Sequence, residues 1–199
     1  GIAAGKRTAD FTGVAPEAEY VIVKLKQAKN NLRGLYGVPE DVEAYQENDI
    51  MLGLRYLNDL ARKQGMPLVI CVALGTSFGG HNGDSLLADI LDIYVTVRNR
   101  CVVVGTGNEA ARRHHYFNRF TDAQDMRTAE IRVGEGTQSF TVELWSTLPN
   151  IVMVSVTSPS GERTGMIPIR LGYLFDFLFT FERTTITVEY RLLQRNNDA

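Results

Sequence analysis

The stretch LVICVALGTSFGGHNGDSLLADI, Leu68 to Ile90, decides how the chain is read. Its first seven residues, Leu68-Val69-Ile70-Cys71-Val72-Ala73-Leu74, are apolar without alternation. That pattern suits a strand covered on both faces. A glycine-rich loop, Gly75 to Gly83, follows, and Asp84-Ser85 can cap a helix. In that helix Leu86, Ile90, Ile93, Tyr94 and Val97 form the expected inner stripe. A second apolar run, Cys101 to Gly105, then gives another buried strand. Strand, helix and strand in this order predict a parallel pair joined by a crossover.

Reading upstream, residues 46–64 predict a helix with Ile50, Leu54, Leu57 and Ala61 at helical spacing and Gly65 as its stop. Tyr20 to Leu25 is rich in β-branched residues and reads as a strand. Downstream, helical periodicity disappears. Residues 129–133, 139–145 and 151–157 read as strands, and Pro159-Ser160-Gly161 marks a turn. Residues 172–181 and 184–193 complete a β-rich half. The expected fold is α/β: a partial parallel sheet with flanking helices, then an antiparallel β-sandwich or jelly-roll-like region. The change of pattern puts a boundary in the polar stretch 118–126, giving domains 1–120 and 121–199.

Composition narrows the function classes. The chain has 199 residues, 44% hydrophobic and 22% charged, with net charge -2. It can bury a core, and no basic patch suggests a nucleic-acid partner. No apolar run reaches the roughly 18 residues that cross a bilayer, so no membrane partner is expected. Cys71 and Cys101 sit in strand-like apolar runs and read as buried thiols. No metal-ligand spacing is seen, and no cofactor is expected.

Sites in parallel sheets form beyond the carboxyl ends of the strands. Two loops qualify, one after Leu74 and one comprising Gly105-Thr106-Gly107-Asn108-Glu109. An amide at Asn108 can donate to a developing oxyanion. Taken alone, Gly-Asn is ordinary turn chemistry. Four segments together are more specific: Gly1-Ile2-Ala3-Ala4-Gly5, Gly13-Val14-Ala15-Pro16-Glu17-Ala18, Ala73-Leu74-Gly75 and Gly107-Asn108-Glu109. In this order, over residues 1–116, they resemble the subtilisin-like serine proteases.

The resemblance implies that Asn108 is the oxyanion-hole asparagine. It implies that Ala73, Leu74 and Gly75 form one wall of the primary specificity pocket, and Gly105, Thr106 and Gly107 the other. Departures from the family pattern are Ala73 in place of Ser, Gly105-Thr106 in place of Ala-Ala, and Ala110 in place of Gly. Glu43-Ala44-Tyr45 matches the opposite rim of the cleft by position, behind an inserted segment, Gln27 to Val42. Asp10 matches a calcium-loop position without the ligand run, so no calcium is expected there.

Gly75-Thr76-Ser77 spells the family's nucleophile triplet, yet Ser77 is followed by Phe78-Gly79-Gly80-His81-Asn82-Gly83 and lacks the expected proline. It also precedes Asn108, whereas the family's serine follows the asparagine. Ser77 therefore reads as a loop residue. His81 and the pair His114-His115 find no orienting carboxylate at defined spacing, apart from Asp84, read as a cap. By the resemblance, the catalytic Asp and His would precede Gly1 and the catalytic Ser would follow Ala199. The chain would then be an inactive internal part of a bacterial serine endopeptidase acting on peptide or protein substrates, with the β-rich half as an inserted jelly roll. Uncovered sheet edges would make it self-associate. The compartment is left open. The competing readings are a non-catalytic pseudoprotease or peptide-binding module, and a nucleotide-binding α/β domain. The latter lacks any phosphate-cradling motif.

Overall fold

In the computed structural model, residues 2–3, 5–109 and 111–193 are described. The chain divides into two compact units, Gly1–Leu144 and Trp145–Ala199. Each is taken by itself.

The first unit is built on a βαβ core. Helices α1 (Asn30–Leu35) and α2 (Glu47–Gln64) precede strand β1 (Leu68–Val72), helix α3 (Leu86–Thr96) and strand β2 (Arg100–Val104). Strands β1 and β2 pair in parallel from Leu68↔Arg100 to Val72↔Val104. Helix α2 packs on β1 and on α3, and α3 packs on β2. The α2 stripe expected from the sequence faces inward: Leu54 and Ala61 are buried, and Ile50 and Leu57 are half-buried. Gly65 closes the helix in the left-handed region at φ 65°. There the Met66 N–H reaches back to the Ala61 carbonyl at 3.0 Å, the glycine stop the sequence suggested.

Helix α3 begins one residue later than the Asp84 reading of the cap implies. Ser85 Oγ accepts from the Ala88 N–H at 3.0 Å and is the cap. Asp84 is instead folded into a turn with Asn82, whose Oδ1 accepts from the Asp84 N–H at 3.1 Å. The inner stripe agrees at Ile90 and Tyr94 and differs elsewhere. Leu87, Ala88, Ile90, Leu91 and Tyr94 are half-buried, while Leu86, Ile93 and Val97 are exposed. Leu86 is the first helical residue and Val97 the C-cap, outside the last turn; a period of 3.6 anchored at Leu87 and Leu91 turns Ile93 outward.

The sheet departs from expectation on one face. Ile70 is buried and Leu68, Val72 and Val102 are half-buried, facing the helices. Val69, Cys71, Cys101 and Val103 are exposed on the other face. Both cysteines are free and exposed, not buried. The physical reason is that α2 and α3 cover one face only.

Tyr20–Leu25 is not a strand. Its Val23 packs on α2, where a Cβ added at Gly53 would come within 3.1 Å of Val23 Cγ1. No ladder bonds join the segment to β1. A strand is defined by its partner, and among the described residues this segment has none. The same reason applies to residues 129–133 and 139–145, where Ile131, Val133, Phe140, Val142 and Leu144 are all exposed and unpaired.

The second unit holds an antiparallel pair, β3 (Leu174–Phe179) and β4 (Thr184–Glu189), in register from Leu174↔Glu189 to Phe179↔Thr184. Residues 151–157 contribute isolated bridges, Val154↔Ile167 and Thr157↔Arg163, in place of a continuous strand. The turn expected at Pro159-Ser160-Gly161 is present: Gly161, at φ 94°, donates to the Ser158 carbonyl at 3.0 Å. Ile167 is the fully buried side chain here. Tyr190 fastens it, its hydroxyl donating to the Ile167 carbonyl at 3.1 Å and accepting from the Val154 N–H at 3.2 Å.

Candidate functional site

The parallel register carries both candidate loops out of the same end of the β1–β2 pair. The ladder continues one step past the strands, with the Gly105 N–H donating to the Val72 carbonyl at 3.0 Å. Ala73, Leu74 and Gly75 therefore run beside Gly105, Thr106 and Gly107. A Cβ at Gly105 would sit 3.9 Å from the Ala73 Cα, and one at Gly75 would sit 3.7 Å from the Gly107 Cα. The two backbones are glycine-lined and closely apposed. Gly107 turns at φ 80°, a conformation that L side chains rarely adopt. The next residue, Asn108, is exposed, and its side chain makes no hydrogen bond with the described residues. Its amide is a donor at the mouth of the paired loops.

The exit of this loop is held by Glu109, whose Oε2 lies 3.6 Å from Arg112 Nε and 3.3 Å from His114 Nδ1. Ala110 lies outside the described residues, as do Gly1 and Ala4. The remaining upstream motif residues do meet: the Val14 N–H donates to the Ile2 carbonyl at 3.1 Å, and the Ala15 N–H to the Ala3 carbonyl at 2.8 Å.

Ser77 has no base. His81 Nε2 approaches the Ser77 carbonyl oxygen at 3.2 Å, not its hydroxyl. The His81 ring instead lies against His115, with centroids 4.6 Å apart. Among the described residues, no three His, Cys, Asp or Glu side chains cluster as metal ligands do.

The inserted segment 27–42 is a closed loop pinched at its base. The Ala28 N–H donates to the Ala44 carbonyl at 2.8 Å, and the Ala44 N–H to Gln27 Oε1 at 3.1 Å. Arg33 folds its far end by donating to the carbonyls of Glu40 and Val42 at 3.0 and 2.7 Å. A cavity of about 630 Å³ opens beside it, bounded by Arg33, Val38 and Glu43 among others. On the rim, Glu43 accepts from the Tyr45 hydroxyl at 3.0 Å and thereby raises the phenol's pKa.

Two contacts around the glycine-rich loop were not legible in the sequence. The Tyr36 and Phe78 rings meet edge-on at 5.1 Å. The Gly79 N–H donates to Glu143 Oε2 at 2.8 Å, across 64 residues of chain. No local spacing announces either of them.

With this geometry in hand, the chain is similar to the structure of the Clostridium perfringens CspB protease. The TM-score is 0.69 and the identity 26%, over 95% of this chain and 38% of that one. The chain thus spans well under half the length of that protease. No protein-family model matches it, and no curated protein matches it. The likeness relates the chain to a protease and agrees with an α/β fold.

Proposed function

We propose that the chain is the middle portion of a subtilisin-like serine endopeptidase, hydrolysing peptide bonds through an acyl-enzyme. Asn108 acts as oxyanion donor, and Ala73–Gly75 and Gly105–Gly107 are the two walls of the specificity pocket. Flanking segments of a longer protein supply the Asp, His and Ser. In this reading residues 1–120 are the peptidase portion and residues 121–199 the β-rich, jelly-roll-like insertion. The observation that carries it is the apposition of the two glycine-lined loops at one sheet end, with the free Asn108 amide beside them. Likeness to a clostridial protease supports it.

The test is a fluorophosphonate probe, which reacts with activated serines. The 199-residue chain should take up no label, because the histidine beside Ser77 engages its carbonyl. A stoichiometric adduct on Ser77 would show an activated serine within the chain and end this assignment. We propose further that the isolated chain self-associates through the open β1–β2 face, where Val69 and Val103 are exposed. Light scattering should report a mass above 22.2 kDa; a strictly monomeric species contradicts it.

A further inference from the structure

We infer that Glu143 is a positioning residue that sets the spacing between the two loops of the candidate site. The inference rests on the protease reading for its functional consequence, but its structural part stands apart from it.

Gly75 to Gly83 is a weakly self-supported loop. Its internal bonds are short-range: the Phe78 N–H donates to Thr76 Oγ1 at 3.0 Å, and His81 meets the Ser77 carbonyl. Four glycines lie within it, at positions 75, 79, 80 and 83, and two of them have positive φ, Gly79 at 100° and Gly83 at 81°. Such a stretch gains little rigidity from its own backbone. What holds it comes from elsewhere in the first unit. Tyr36 reaches Phe78 from the inserted segment, His115 reaches His81 from beyond Asn108, and Glu143 takes the Gly79 N–H. The Glu143 bond is the charge-assisted one, and it acts on the backbone itself.

Gly79 lies four residues beyond Gly75, which stands against Gly107. With the Val72–Gly105 bond fixing one end of this segment and Glu143 the other, Gly75 has little room to move away from Gly107. Without Glu143 the far end keeps only the ring contacts of Phe78 and His81, neither of which holds the backbone, and the wall can swing. A substrate that binds along Ala73–Gly75 then has to order that wall, so loss of the carboxylate weakens binding more than it slows the chemical step.

The experiment has two readouts. In the 199-residue chain, amide exchange of residues 76–83 should quicken about tenfold in Glu143→Ala, matching the loss of one charge-assisted bond. Glu143→Asp keeps the charge but shortens the reach by one methylene and should behave like Glu143→Ala. Glu143→Gln keeps a carbonyl acceptor without the charge and should restore part of the protection. In the longer protein, Glu143→Ala should raise KM for a peptide about tenfold and leave kcat, referred to titrated active sites, within about twofold. Unchanged exchange in both Glu143→Ala and Glu143→Asp overturns the inference whatever the activity. Quickened exchange with an unchanged KM overturns its functional half. Failure of the Asn108 assignment would leave the exchange result untouched, so the two ideas fail separately.

Discussion

If the chain is part of the proposed endopeptidase, Asn108→Ala should lower turnover of peptide substrates by about two to three orders of magnitude in the longer protein, with KM little changed. The effect follows from what the amide does and what it does not do. It is exposed at the mouth of the paired loops and makes no hydrogen bond with the described residues. Its removal therefore leaves the fold intact and takes away only a donor aimed at solvent or substrate. A donor that strengthens as charge builds on the carbonyl oxygen acts on the transition state and not on ground-state binding. Steady-state kinetics with an amide substrate check it, with urea unfolding as the control for stability. Turnover equal to that of the parent would show that Asn108 is an ordinary turn residue. A rise in KM at constant kcat would move it from the oxyanion to a substrate-binding role.

Leu54→Ala destabilises the first unit by about 3 kcal/mol, within the usual range for a buried leucine. Leu54 is 3% exposed on the face of α2 that packs on β1 and α3, and Ile70 of β1 is 4% exposed. Deleting the isobutyl group removes its transfer free energy and leaves a void that the helix cannot close without losing its other contacts. Leu52, on the same helix, is 62% exposed. Leu52→Ala should change stability by less than about 0.5 kcal/mol. Urea titrations of both variants check the pair; equal midpoints would mean that α2 does not seat its Leu54 face on the sheet.

Elements that carry their own signal were read well from the sequence. The 3.6-residue period of α2 and the unbroken apolar runs of β1 and β2 are local properties, and so is the Gly65 stop. The candidate loops were found because they follow strand ends. What failed was partner-dependent. Among the described residues, Tyr20–Leu25 has strand composition but no strand to pair with, and Val142 and Leu144 alternate correctly but are exposed and unpaired. Cys71 and Cys101 look buried because an apolar run does not reveal whether one face or both will be covered. The stripe of helix α3 is legible only in part: Ile90 and Tyr94 turn inward as expected, while Leu86, Ile93 and Val97 do not, because a short apolar surface fits two stripes and only packing on β2 chooses between them. Glu143 was invisible for another reason: a carboxylate that braces a loop 64 residues away has no local pattern.

The open side of the parallel pair is its own footprinting reagent. Val69 pairs with Cys101 and Cys71 with Val103, so the two thiols occupy diagonal positions on the bare face. Neither is tied up in a disulfide. Their alkylation rates report directly on whether anything lies over that face. Wherever the chain is studied, alone or within a longer polypeptide, a maleimide pulse distinguishes a naked sheet from a sheathed one without any mutation.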